Sequence, residues 1–340
     1  MSRYRNAVVI VASACVFSAF GGCGEMGVQP LGSYSELLLV TELGAQDEWT
    51  RVLTPLLARE VDYVTDQEPA FRITAVAAEK MRDFPAHKNV VMCGVLEPIT
   101  SIGQQIAGFL GEADARRARD GVAVIAEFED RPSRNQFTMI LTATDADALR
   151  ELIAARAGEI GDILERSCRE RMRRSLLGRK NESLMAELRG RYGFTIEIPS
   201  LYRVLSESAE PPGVELIREP PTRILGVFWT ERNAAPTADD AEELFRIRAD
   251  YAWKRYANDE MDRERVSFER ARIGSYDAVK MSGYWYNERD VVGGCFTTYY
   301  IYDSGAKLLW ALDLLVFAPG RPKHAMFREL LALAETFRYQ

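Results

Sequence analysis

Phe137-Thr138-Met139-Ile140-Leu141 and, a short connection later, Ala148-Leu149-Arg150-Glu151-Leu152-Ile153-Ala154 are answered near the other end of the chain by Leu312–Phe317 and Met326-Phe327-Arg328-Glu329-Leu330-Leu331-Ala332. In each case an apolar strand-forming run precedes a helix with apolar residues at three- and four-residue spacing. The echo predicts two halves, each ending in a strand and a helix packed back on its sheet. Two amphipathic helices also come to look alike without any repeat, because helix patterns are degenerate. The expected fold class is α+β: two domains of antiparallel sheet, each with helices packed on one face.

Working outward from these two runs, the first half reads as a strand at Glu36–Thr41, a helix from Gln46 to Arg59 and an alternating strand from Phe71. A buried strand follows at Asn89–Val95. A hairpin over 121–128 and 135–143 then turns at Arg131-Pro132-Ser133. A long amphipathic helix from about Asp145 to Leu177, weakened at Gly158 and Gly161, and a further helix to Arg191 close it. The second half opens at Tyr192 with a strand ended by Pro199. Strands follow near 202–206, 214–218 and 223–230, then a helix capped by Thr237 and Asp240, strands at 265–273, 277–286, 295–302 and 308–317, and a last helix over 323–338. The domains are therefore placed at 35–191 and 192–340.

The first residues carry an address. Arg3 and Arg5 precede an uncharged run from Ala7 to Phe20, and Gly21-Gly22 stands before Cys23. A charged start, a short apolar stretch and a small-residue cut site make a secretory signal over 1–22. The run is too short for a membrane span of about 20 apolar residues. Phe20 does not suit an ordinary cut site, whereas a lipoprotein signal accepts a large apolar residue there. Cys23 is then the acylated, palmitate-bearing residue of a lipoprotein, and 23–34 is a Gly-rich tether. Such a chain partners the membrane through its acyl chains on the periplasmic side of the cell envelope. Gly24 after the acylated cysteine, in place of an Asp retention signal, favours the outer membrane over the inner.

Loss of Arg3 and Arg5 takes the formal charge from −7 to −9. That acidic balance argues against nucleic acid as a partner. Cys93, Cys168 and Cys295 remain, odd in number and without metal-like spacing. An oxidising envelope would permit one disulfide among them, and burial as free thiols is the alternative.

At Gln67-Glu68-Pro69-Ala70-Phe71, Lys88-Asn89-Val90-Val91, Gly283-Tyr284-Trp285 and Gly293-Gly294-Cys295-Phe296-Thr297-Thr298-Tyr299 the chain resembles a family of bacterial envelope lipoproteins known as a domain of unknown function. Its members share an acylated N-terminus and Gln-Glu-Pro-x-Phe, Gly-x-Trp and Gly-Gly-Pro-Phe segments; the resemblance covers most of 31–340. Cys295 stands where the family has proline. Gln67, Glu68, Pro69, Phe71, Gly293, Gly294 and Cys295 are its motif residues here, and the family brings no catalytic role for them. The second half is also similar to the PsbP/Mog1-type fold, through Gly193-Phe194 with Pro199 and Phe317-Ala318-Pro319 with Phe337. That resemblance implies partner binding and assistance to assemblies, at the level of fold alone.

Chemistry is scarce. His87 and His324 are the only histidines and neither has ligand-spaced partners, so no metal site and no cofactor are expected. The Gly-x-Ser-x-Gly elbow, the phosphate loop and the dinucleotide fingerprint are all missing. Asp66 with Glu68, and Asp259, Glu260 and Asp262, are acidic groups in which a glycan-cutting carboxylate pair would have to be sought. The alternative is solvated loop charge. Cys295 after two glycines would be reactive if exposed in a turn, and inert if packed. The basic stretch from Arg166 to Lys180 reads either as a patch for anionic headgroups or as a solvated helix face.

Trp285, Tyr284, Tyr286, Phe296 and Tyr299 form the candidate binding surface, since Tyr and Trp are enriched where partners dock; core filling is the simpler use of the same residues. The function expected is that of a membrane-anchored envelope lipoprotein acting as a non-catalytic accessory or binding protein, with an envelope protein as partner. The alternatives are a carrier of a small apolar ligand or lipid, and an envelope glycan or peptide hydrolase using a carboxylate pair.

Overall fold

The structure, a computed structural model, describes residues 8–11, 32–59, 68–84, 87–256 and 258–339. Cys23, Asp66 and Gln67 lie outside the described residues, as does the signal segment apart from Val8–Val11. The chain divides into two compact units: residues 1–60 with 69–168, and residues 61–68 with 169–340.

In the first unit the strands are β1 (Val8–Val11), β2 (Glu36–Thr41), β3 (Arg72–Ala77), β4 (Asn89–Val95), β5 (Val124–Glu129) and β6 (Phe137–Ala143). The helices are α1 (Glu48–Leu57), α2 (Ser101–Leu110), α3 (Glu112–Arg119), α4 (Ala146–Ala155) and α5 (Ala157–Leu176), the last as far as Cys168. The sheet order is β1-β5-β6-β4-β2-β3. Every pairing is parallel except β5 with β6, which corrects the antiparallel sheet expected here. Parallel neighbours need long crossovers, and the β2–α1–β3 segment supplies the length and a helix for one of them. The same strands are covered on both faces. Leu38, Val40, Val90, Met92 and Ile140 join a core with Ile102 and Ile106 of α2 and Ala115 and Ala118 of α3. Leu37, Leu39, Val91 and Cys93, which alternate with them, are also fully buried, and α1 and α4 pack against β2, β4 and β6. A strand buried on both sides reads as a continuous apolar run, which is what Leu37–Val40 and Val90–Cys93 are. Asn89, itself wholly buried, ties the strand starts together by donating Nδ2 to the carbonyls of Tyr34 (3.0 Å) and Glu36 (2.7 Å), while the Cys168 thiol donates to its Oδ1 at 3.2 Å. The helix expected from 145, weakened at Gly158 and Gly161, breaks instead at Arg156, whose backbone leaves the helical region ahead of the two glycines.

The second unit holds α6 (Glu182–Tyr192), β7 (Phe194–Thr195), β8 (Arg203–Ala209), β9 (Pro212–Arg218), β10 (Thr222–Glu231), α7 (Ala241–Arg255), β11 (Glu260–Met261), β12 (Ser267–Ile273), β13 (Tyr276–Asn287), β14 (Val292–Asp303), β15 (Leu308–Phe317), α8 (His324–Ala334) and β16 (Arg338–Tyr339). Eight strands form one antiparallel sheet, β11-β13-β14-β15-β10-β9-β8 with β12 on β13; β7 and β16 pair separately. Here the antiparallel expectation and the α+β class hold. The one-sided helix layer does not. Alternation along β14 sends Cys295, Tyr299 and Ile301 to a core with α6 and α8, and Phe296 and Tyr300 to a second core under α7.

Two buried ionic networks hold α7 to its face. Arg248 and Asp313 have fully buried side chains. Arg248 donates Nε to Oδ1 at 2.9 Å and Nη2 to Oδ2 at 3.2 Å, Thr298 donates its hydroxyl to Oδ1 at 2.5 Å, and the guanidinium lies 3.5 Å from the centre of the Phe296 ring. Two turns on, Arg255 donates to both oxygens of the wholly buried Glu215 (3.0 and 2.8 Å), which also accepts from Tyr251 and Ser206. Arg248→Leu would leave Asp313 charged and unpaired. The unfolding free energy in urea is expected to fall by about 3–5 kcal/mol, and adding Asp313→Leu is expected to recover part of that loss.

A cavity at the end of helix α7

The helix α7 stops at Arg255, and the chain passes through Tyr256 and Asp259 before β11 pairs with Trp285 and Tyr286 of β13. This leaves an open space of about 470 Å³ between the end of α7 and the sheet. Ile224 of β10, Leu315 and Phe317 of β15, Trp285 of β13 and Val292 of β14 make its apolar wall. Arg255, Asp259, Asn287 and Asp290 line its polar part. The volume suits a small organic ligand, and pockets for such ligands share this make-up of apolar walls with a few placed polar groups.

Glycines shape the wall. A Cβ at Gly294 would sit 2.9 Å from Trp285 Nε1 and 3.0 Å from its Cε2, so only glycine lets the indole lie across β14. A Cβ at Gly226 would meet the Tyr256 hydroxyl at 2.6 Å, so that phenol also reaches down to a bare strand position. Trp285 and Tyr256 are 7% and 8% exposed, yet Trp285 Nε1 and the Tyr256 hydroxyl have no hydrogen-bond partner. Buried polar atoms are nearly always satisfied, so these two, pressed against the bare backbone of Gly294 and Gly226 behind the cavity wall, are exceptions.

Asp259 is the other unusual group. It is 8% exposed and accepts a hydrogen bond at Oδ1 from Asn287 Nδ2 at 2.9 Å. Asn287 is set for this by accepting the Asp290 N–H at its own Oδ1, 3.1 Å away. Burial pushes the Asp259 carboxyl above the ordinary aspartate range. The Asn287 hydrogen bond and the Arg248 charge pull it back, while Asp290 adds to the rise. A larger groove of about 900 Å³ runs along Tyr276, Arg272 and Asp277, but none of the partnerless buried polar atoms lies on it.

The predicted site residues separate. Trp285 and Phe296 are buried under α7, Tyr299 is buried on the opposite face, and Tyr284 is half-buried there with the Arg265 guanidinium 4.6 Å from its ring centre. Tyr286 is half-buried and donates its hydroxyl to Glu260 at 3.1 Å. The five do not form one docking surface; strand alternation divides them between two cores, and only Trp285 reaches the cavity.

Gly293, Gly294 and Cys295 belong to β14, opposite Tyr286, Trp285 and Tyr284, rather than to a turn. Cys295 is fully buried in the core with α8, so its thiol is not presented to solvent. Cys93, Cys168 and Cys295 are buried and form no disulfide with one another. Glu68 caps α8: its carboxylate accepts the backbone N–H of Lys323 at 2.6 and 2.7 Å and of His324 at 2.9 Å. Phe71 is buried in the first unit, where Pro69 forms an isolated bridge.

Asp262 holds Arg265 at 2.6 Å, so Asp259, Glu260 and Asp262 serve three separate places. Among the described residues no three His, Cys, Asp or Glu side chains converge as a metal site would require. Part of the basic stretch is engaged in ion pairs, Arg166 with Glu127 (3.3 Å), Arg169 with Glu335 (3.0 Å) and Lys180 with Glu197 (2.5 Å), and Arg171 is wholly buried, while Arg174 and Arg179 are exposed. What sequence reasoning missed is the set of Tyr256, Asn287 and Asp290. The Gly-x-Trp-x-Asn run was its one visible trace.

Residues 181–336, which contain the whole cavity, match a family described as a domain of unknown function (DUF4837). No curated protein matches the chain. Among solved structures, the crystal structure of LpqN, involved in cell envelope biogenesis of Mycobacterium tuberculosis, is similar at 14% identity over 42% of this chain and 81% of that chain, with a TM-score of 0.27.

Because Glu68 satisfies two backbone donors at the positive end of α8, Glu68→Ala is expected to lower stability by about 1–2 kcal/mol. Urea unfolding followed by tryptophan fluorescence measures it, and no change would show that the cap is dispensable.

Proposed function

We propose that this chain is a lipid-anchored protein of the bacterial cell envelope whose C-terminal domain binds a small, largely apolar ligand without transforming it. One observation carries the binding reading: an open cavity of about 470 Å³ at the end of α7, with an apolar wall and a few polar groups, Asp259, Asn287 and Asp290, gathered on one part of it. Binding is preferred to catalysis because Asp259, Glu260 and Asp262, the acidic group legible in the sequence, are spent on three separate contacts, with Asn287, Tyr286 and Arg265. The anchoring part rests on the Arg3, Arg5, Gly21-Gly22-Cys23 signal, with Gly24 favouring the outer membrane. Help to an envelope assembly, by analogy with PsbP/Mog1-type proteins, would then depend on the ligand state of this domain.

Two measurements test the two parts. In cells fed an alkyne palmitate analogue the chain is expected to take label and to sediment with membranes. Cys23→Ala should lose the label and appear in the soluble envelope fraction, and a labelled Cys23→Ala protein would end the lipoprotein reading. For the cavity, the uncharged fluorophore N-phenyl-1-naphthylamine is expected to bind the detergent-extracted chain saturably. Ile224→Phe, which narrows the space, should weaken that binding by about tenfold; binding that ignores this change would place the dye elsewhere.

A further inference from the structure

The polar part of the cavity has a sign. Among the described residues Arg255 is the one basic side chain on the wall, and its Nε and Nη2 already donate to the Glu215 carboxylate, Nη2 to Ser206 as well. Asp259 and Asp290 share that wall, and among the described residues neither is in an ion pair, Arg248, whose charge reaches Asp259, being itself paired with Asp313. Asp259 takes one hydrogen bond, from an uncharged amide, at one of its two oxygens. An ionised carboxylate with so little compensation in a largely buried place is costly, and such groups persist where a charged partner arrives. The same wall carries the rings of Trp285, Tyr256 and Phe317. Aromatic faces beside a carboxylate are the surroundings that organic cations prefer, because ring quadrupole and negative charge attract the same group.

We propose that the ligand is a small organic amine, an apolar body bearing an ammonium group that pairs with Asp259 among the rings of Trp285, Tyr256 and Phe317. This deepens the cavity-binding reading and rests on it. Asn287 acts as a positioning residue: held by the Asp290 N–H, it fixes one Asp259 oxygen and leaves the other for the ammonium. The amine is bound as a salt-bridged cation, and no covalent bond is made or broken.

The test uses the full chain in mild detergent and displacement of N-phenyl-1-naphthylamine by three compounds of one shape: 3-phenylpropylamine, 3-phenylpropanol and 3-phenylpropionate. At pH 7.5 the amine is expected to displace the dye at a concentration at least tenfold lower than the alcohol, with the acid weakest. Asp259→Asn is expected to bring amine and alcohol together. Equal displacement by amine and alcohol with wild-type protein, or an amine preference that survives Asp259→Asn, overturns the proposal. The wild-type comparison decides the matter even if that variant does not fold. A dye that fails to bind saturably in the first place overturns the cavity reading itself, and the amine proposal with it; saturable dye binding without amine preference overturns the amine alone.

Discussion

The buried pair of Arg248 and Asp313 is the constraint on which the second unit turns. A guanidinium and a carboxylate removed from water gain little over apolar replacements, but either one left alone is very unfavourable. The helix α7 must therefore meet β15 at one place and in one rotation. Arg248, Tyr251 and Arg255 stand at helical spacings that face the sheet together, so the Glu215 network falls into line once the first pair is made. Tyr251 stacks on Phe228 with ring centres 3.9 Å apart, and Gly213 leaves room for its hydroxyl. Polar contacts thus set the position of the helix, and the apolar core around them supplies the bulk of the burial.

Where α7 is fixed, its end is fixed too. Tyr256 and Asp259 are delivered to the edge of the core at the point where β13 and β14 turn, and the helix no longer covers the sheet. The cavity is the space that remains. Its wall is made of strand residues facing α7, its polar groups come from the helix exit and from the β13–β14 turn, and Gly294 and Gly226 let two aromatic side chains settle against bare backbone. On the opposite face α6 and α8 cover the sheet, and Glu68 caps the start of α8.

Much of the fold was legible. The strands Glu36–Thr41, Asn89–Val95 and Phe137–Ala143, and the capped start of the α7 segment at Thr237 and Asp240, stand close to where periodicity and capping placed them. Strand direction was not legible in the first unit, because parallel and antiparallel partners present the same apolar run. Continuous burial along Leu37–Val40 was the available sign of a sheet covered on both faces. Of the candidate site, Trp285 and the two glycines were legible as motifs, but their use was not. Read along the chain, Gly293-Gly294 suggests a turn. Only the register that sets Gly294 opposite Trp285 shows that the missing side chains make room for an indole.

By itself the sequence determined the α+β class, the element types, the amphipathic faces and the acidic balance, because each of these depends on composition or on neighbours within a few residues. Tertiary structure alone decided that helices lie on both faces of each sheet. It also decided that the aromatic cluster divides between two cores, and that Tyr256, Asp259, Trp285, Asn287 and Asp290 share one space. Those residues come from a helix exit, a strand and a turn, and they meet only because a buried ion pair holds α7 in one place. Interactions over such sequence distances leave no period to read.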